Sequence, residues 1–153
     1  MPMAASESIA RQQLYRYFLD TLRMLPVELS LSVHNAAVPT AAFDVGTTLP
    51  CDDSDDGRTG PLYFDISYWL IGTTPASSDA VIDLVVGAWA ALGWRTRTGR
   101  TTRPRSAFCR TPDYYGLAVQ QSVDGHLSLS GSTPPFPPDT AGGAPLPRTI
   151  EHP

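Results

Sequence analysis

Residues 62–71 read Leu-Tyr-Phe-Asp-Ile-Ser-Tyr-Trp-Leu-Ile, and they fall into two sets of alternate positions. Side chains of a strand point by turns to opposite sides. Leu62, Phe64, Ile66, Tyr68 and Leu70 therefore share one face, and Tyr63, Asp65, Ser67, Trp69 and Ile71 share the other. A strand this long needs neighbours for its backbone, and its wholly apolar face needs a second layer. The second face is itself aromatic, which predicts that something covers it.

Two segments supply that second layer. In 78–92 the residues Val81, Ile82, Val85, Trp89 and Leu92 form one helical stripe, with Gly93 placed for a left-handed stop. In 6–25 Leu14, Phe18, Leu22 and Leu25 recur at helical spacing, flanked by Ile9 and Tyr17. Ser6 suits the N-cap, Glu7 the first turn, and Pro26 ends the helix.

The other periods are those of strands. Residues 27–33 and 94–99 alternate, and 108–110 is a shorter candidate. Residues 115–123 and 126–131 form a hairpin, with Asp124-Gly125 expected as a type I′ turn and Val123 on the apolar side. Residues 34–60 read as irregular. The expected fold is α+β, a two-layer sandwich whose mainly antiparallel sheet has 4–5 strands and carries both helices on one face. One domain spans 1–132, and the Pro- and Gly-rich segment 133–153 is expected as an extended or disordered tail.

With 153 residues, the chain suits a single domain with a real core. It has no run of apolar residues long enough to span a bilayer. Its net charge is −4 at pH 7, which argues against nucleic acid as a partner. All 11 basic residues are arginine, a bias that codon usage in a GC-rich genome explains better than any mechanism. Residues 1–5 show no basic or apolar leader region, so an exported form would carry its signal ahead of this sequence.

Candidate sites are few. In an exported protein Cys51 and Cys109 would pair as a disulfide, worth about 4 kcal/mol in the chain-entropy account. Read otherwise, they are two separate buried thiols. A third reading makes Cys109 a nucleophile, with Arg105 and Arg110 lowering its pKa and His126 as base. Asp52, Ser54 and Asp56 precede Gly57 at calcium-loop spacing. Tyr63 holds the place of the bidentate Glu, however, and flanking helices are missing, so solvated carboxylates are the simpler reading. Three scattered histidines make no metal site, and no cofactor motif is present. Arg95, Arg97, Arg100, Arg103, Arg105 and Arg110 crowd into sixteen residues. They can meet the acidic run at 52–56, face an anionic envelope ligand, or simply be solvated. Trp69, with Tyr63 on the same strand face, is the aromatic candidate for a binding surface.

Three segments carry a resemblance. Pro50-Cys51-Asp52-Asp53 precedes the aromatic strand, and Ala88-Trp89-Ala90-Ala91-Leu92-Gly93-Trp94 joins helix to strand. Thr111-Pro112-Asp113-Tyr114-Tyr115-Gly116 then leads into the hairpin that ends Ser130-Gly131-Ser132-Thr133-Pro134. Together, over roughly 48–136, they resemble uncharacterised lipoproteins and secreted proteins of actinobacteria, of the mycobacterial LppA-like kind. Where such proteins commonly have a small residue or a cysteine after the Ser-Thr-Pro run, this chain has Pro135-Phe136. The resemblance implies a cell-envelope location, membrane association only through a lipid anchor that this chain does not carry, and no catalytic residues. The expected function is a non-enzymatic extracytoplasmic interaction domain. Its partner would be an envelope protein or anionic ligand, met by Tyr63, Trp69, Arg95, Arg97, Arg103 and Arg105. The alternatives are a phage-encoded envelope protein that blocks superinfection, a cytoplasmic adaptor, and a small thiol hydrolase using Cys109 and His126.

Overall fold

A computed structural model describes residues 2–52 and 59–153. Helix α1 spans Glu7–Arg23 and α2 spans Ser78–Ala91. The strands are β1 (Ser30–Ser32), β2 (Thr47–Pro50), β3 (Leu62–Ile71), β4 (Arg95–Thr98), β5 (Ser106–Arg110), β6 (Gly116–Gln121), β7 (Leu127–Ser132) and β8 (Thr149–Ile150). They form one antiparallel sheet in the order β4-β5-β6-β7-β3-β1-β8, with β2 pairing the first half of β3 beside β1. The fold is α+β with a mostly antiparallel sheet, but the sheet has 8 strands in place of the expected 4–5. The two that sequence reading passed over, β2 and β8, are short and show no alternation of polarity.

The helices obey their patterns. Ile9 N–H donates to the Ser6 hydroxyl at 3.2 Å, closing the N-terminus of α1. Ala10, Leu14, Phe18 and Leu22 are fully buried, whereas Ile9 faces solvent. Trp89 of α2 is likewise buried, and its Nε1 donates to Thr21 Oγ1 of α1 at 3.2 Å. That bond satisfies the indole donor inside the core. Helix α1 lies so close to β7 that a Cβ on Gly131 would sit 2.7 Å from Leu14 Cδ1 and 2.8 Å from Phe18 Cζ. Gly131→Ala is therefore expected to destabilise the fold by about 1–3 kcal/mol through overpacking. A urea-unfolding midpoint unchanged from wild type would refute that packing.

Three expectations need correction. The strand at 27–33 contracts to Ser30–Ser32, because the Pro26 carbonyl accepts the Leu29 N–H at 3.0 Å and turns the chain first. The β6–β7 connection is not type I′. Ser122 N–H donates to His126 O and Gly125 N–H to Ser122 O, leaving Val123-Asp124-Gly125 as a three-residue loop. Only Gly125 in that loop takes positive φ, at 89°, and Val123 at the tip is 85% exposed. The segment 133–153 is largely extended but packed onto the domain. Phe136 is fully buried, Leu146 and Ile150 are buried, and β8 pairs with β1.

Candidate functional site

Antiparallel pairing places side chains of neighbouring strands in rows across the sheet. The helices cover one face. On the other, a first row runs Arg95, Arg110, Gly116, Ser132 and Asp65, and a second runs Arg97, Phe108, Ala118, Ser130 and Ser67. The middle of this outer face is thus a floor of small residues. One end of it is cationic.

The other end is closed. Trp69 is buried, donates Nε1 to the Ala41 carbonyl at 2.8 Å and packs its ring 4.9 Å from that of Phe43. Residues 34–46 are the cover its aromatic face demanded, so Trp69 holds that loop and offers no surface. Tyr63 remains on the outer face, half-buried opposite Leu49 of β2.

Arg103 and Arg105 are engaged within the chain. Arg103 Nη2 donates to the Pro75 carbonyl at 2.6 Å and its Nε to Asp79 Oδ2 at 3.2 Å. Arg105 Nη2 meets Asp83 Oδ1 at 2.7 Å and its Nη1 meets Asp79 Oδ1 at 3.4 Å. Gln121 Nε2 adds a bond of 2.8 Å to Ser78 Oγ. Some desolvation pushes the Asp79 carboxyl up, but hydrogen bonds from Gln121 and Arg103, the Arg103 charge and the Arg105 bond together hold it below the ordinary range. These two arginines therefore clip the start of α2 to the β5–β6 end of the sheet. Their acidic partners are Asp79 and Asp83, where sequence reading had offered the run at 52–56. Of that run and of the calcium pattern, Asp52 is described, while Ser54 and Asp56 lie outside the described residues.

The thiols do not pair. Both Cys51 and Cys109 are free, Cys51 exposed and Cys109 buried. Cys109 lies in β5 and Cys51 follows β2, with β6, β7 and β3 between them. Four interstrand steps of about 4.8 Å put them roughly 19 Å apart laterally, well beyond disulfide reach. The nucleophile reading fails as well. Burial pushes the Cys109 thiol up to about 12, against weaker lowering by the Leu117 backbone and Arg110. His126 lies at the far end of the sheet, since Cys109 pairs with Leu117 and Leu117 with Gly131, five residues beyond His126. At about 3.3 Å per residue no hydrogen bond can join them.

The cationic end is where the structure concentrates chemistry. Arg95 and Arg110 are direct cross-strand partners, and among the described residues neither meets a carboxylate. Like charges directly opposite each other destabilise a sheet. Beside them Arg97 places its guanidinium 5.2 Å from the centre of the Phe108 ring, on a flank that stays exposed. Asp65, in the same row as Arg110, lies three strands away and accepts from Ser132 Oγ at 2.7 Å. Asp113 accepts from the Tyr17 hydroxyl and the Thr111 hydroxyl, both at 2.6 Å.

Arg95 and Arg110 open onto a pocket of about 250 Å³, completed by Gly93, Thr111, Pro112 and Tyr114. A second depression of about 290 Å³ continues from it over Gly116, Ala118, Ser130 and Ser132, sharing Arg110 and Tyr114. Tyr114 is 41% exposed and has φ 71°, the one non-glycine residue with positive φ among those described. Its loop follows the plan of the 123–125 turn. Tyr114 N–H donates to Thr111 O and Thr111 N–H to Tyr115 O, so Tyr114 occupies the position that Gly125 fills in the other hairpin. A side chain there costs on the order of 1–2 kcal/mol.

The sequence names Arg95 and Arg97 as binding residues and Arg110 only as one of the six clustered arginines, and gives no binding role to Phe108 or Tyr114. Counting three residues between Thr111 and Tyr115 would have put the left-handed position on a tyrosine. No family model, curated protein or solved structure matches this chain.

Proposed function

We propose that this protein is a non-enzymatic binding domain that meets an anionic partner through the outer face of its sheet. One observation carries the reading: Arg95, Arg97 and Arg110 stand together, without carboxylate partners among the described residues, at the open end of a floor of small side chains. The chain as a whole is negative, at −4, so this cluster is a local reversal that steers anions to one place. The location proposed with it is the cell envelope, on the strength of the resemblance in 48–136. The partner there is an envelope protein or an anionic envelope ligand.

Fluorescence anisotropy of a labelled polyglutamate peptide tests the binding face. Wild type is expected to bind, with affinity falling steeply as salt rises. Replacing Arg95, Arg97 and Arg110 together by Gln should weaken binding at least tenfold, while Arg103→Gln leaves it within twofold. Equal loss in both variants would mean that no particular face carries the binding.

A further inference from the structure

We infer that the pocket between Arg95, Arg110 and Tyr114 is a seat for a dianionic phosphoryl group, whose bearer lies along the small-residue floor. The inference rests on the binding face proposed above and names its ligand chemistry.

Three independent features converge there. The first is charge. Arg95 and Arg110 sit opposite each other on β4 and β5 and line one cavity, so two positive charges share a site of about 250 Å³. Among the described residues neither is neutralised within the chain, in contrast to Arg103 and Arg105, which close on Asp79 and Asp83. A group with two negative charges on tetrahedral oxygens matches a pair of guanidinium forks better than a single carboxylate does.

The second is strain. Tyr114 holds a left-handed backbone that glycine adopts freely, and the 123–125 loop of the same protein uses glycine for the same turn. Its ring is not drawn into the core in return, but stays 41% exposed at the rim shared by both depressions. Strain of this kind persists where a side chain is wanted for its position. The third is the floor. Gly116, Ala118, Ser130 and Ser132 leave room beside Arg110 for the rest of a ligand, and Ser130 offers a hydroxyl to it, while the Ser132 hydroxyl is donated to Asp65.

The closing experiment titrates the full chain with inorganic phosphate, and separately with acetate, at constant ionic strength and pH 7.5, following backbone amides by NMR. Phosphate should produce saturable shifts at Gly93, Arg95, Arg110, Thr111 and Tyr114, and acetate should bind at least tenfold more weakly. Arg95→Gln and Arg110→Gln should each weaken phosphate at least tenfold. Tyr114→Gly should raise the melting temperature by a few degrees and yet weaken phosphate several-fold, a split that a purely structural tyrosine would not show. The inference is overturned if the shifts stay linear with concentration, if acetate competes equally, or if Tyr114→Gly gains stability with no loss of affinity. Loss of the phosphate seat with polyglutamate binding intact would leave the binding face standing. Loss of both would remove the face itself.

Discussion

Phe136→Ala is expected to destabilise the protein by about 3–5 kcal/mol, and a chain ending at residue 132 is expected not to fold cooperatively at all. Phe136 is fully buried. Its backbone exchanges two hydrogen bonds with Leu62, donating at 2.8 Å and accepting at 3.0 Å, so it extends the sheet at the start of β3. Three residues earlier, Thr133 N–H donates to Phe64 O while its hydroxyl accepts the Phe64 N–H. Further on, the Pro147 carbonyl accepts the buried Tyr68 hydroxyl at 2.8 Å, and the Arg148 carbonyl accepts the Val33 N–H. Ile150 then enters the core beside Leu31. Truncation would therefore strip three buried apolar side chains from the core and orphan the polar groups they leave behind in one step. Urea unfolding followed by tryptophan fluorescence measures both variants. A truncated chain that melts cooperatively within a few degrees of wild type would show the strap to be dispensable.

Glu7→Ala is expected to cost about 3–5 kcal/mol, as breaking a buried charge pair does. The Glu7 side chain is 1% exposed, and its carboxylate pairs with Arg11 in the next turn of α1. Its Oε2 accepts from Arg11 Nε at 2.6 Å and from the Thr48 hydroxyl at 3.0 Å, and its Oε1 accepts the Gly142 N–H at 3.1 Å. One carboxylate thus joins α1, β2 and the C-terminal strap. Arg11 in turn lies 4.3 Å over the Phe64 ring. Alanine would strand that guanidinium, 15% exposed, together with two donors from distant segments. Glu7→Gln keeps an acceptor for Gly142 and should cost less than half as much. Chemical denaturation at pH 7 checks the ranking; equal midpoints for wild type and Glu7→Ala would assign the carboxylate no structural part.

Much of the frame was legible in the sequence. Strand β3 falls on 62–71 as its alternation requires, and α2 ends at Ala91, one residue short of the expected stop. Gly93 does adopt the left-handed stop, with φ 80°. Each of these is a local matter, because a strand's two faces or a helix's stripe are written in residues a few positions apart. The candidate site was half legible. The arginine cluster is plain in the composition of 95–110, but which arginines are occupied depends on Asp79 and Asp83, 22 to 26 residues away from the arginines they hold.

Periodicity alone determined two helices, a long central strand, the β6–β7 hairpin and the two-layer α+β arrangement, since burying one face of each element is the dominant demand on a chain of this size. Tertiary structure alone decided the partners. Loop 34–46 covers Trp69, the thiols stay four strands apart, a proline-rich end becomes a strap anchored by Phe136, and Tyr114 takes a glycine's place beside two open arginines. Each of these joins residues distant in the chain or hangs on the length of one loop. No local pattern encodes which distant groups come to share a desolvated space; only the packed fold brings them together.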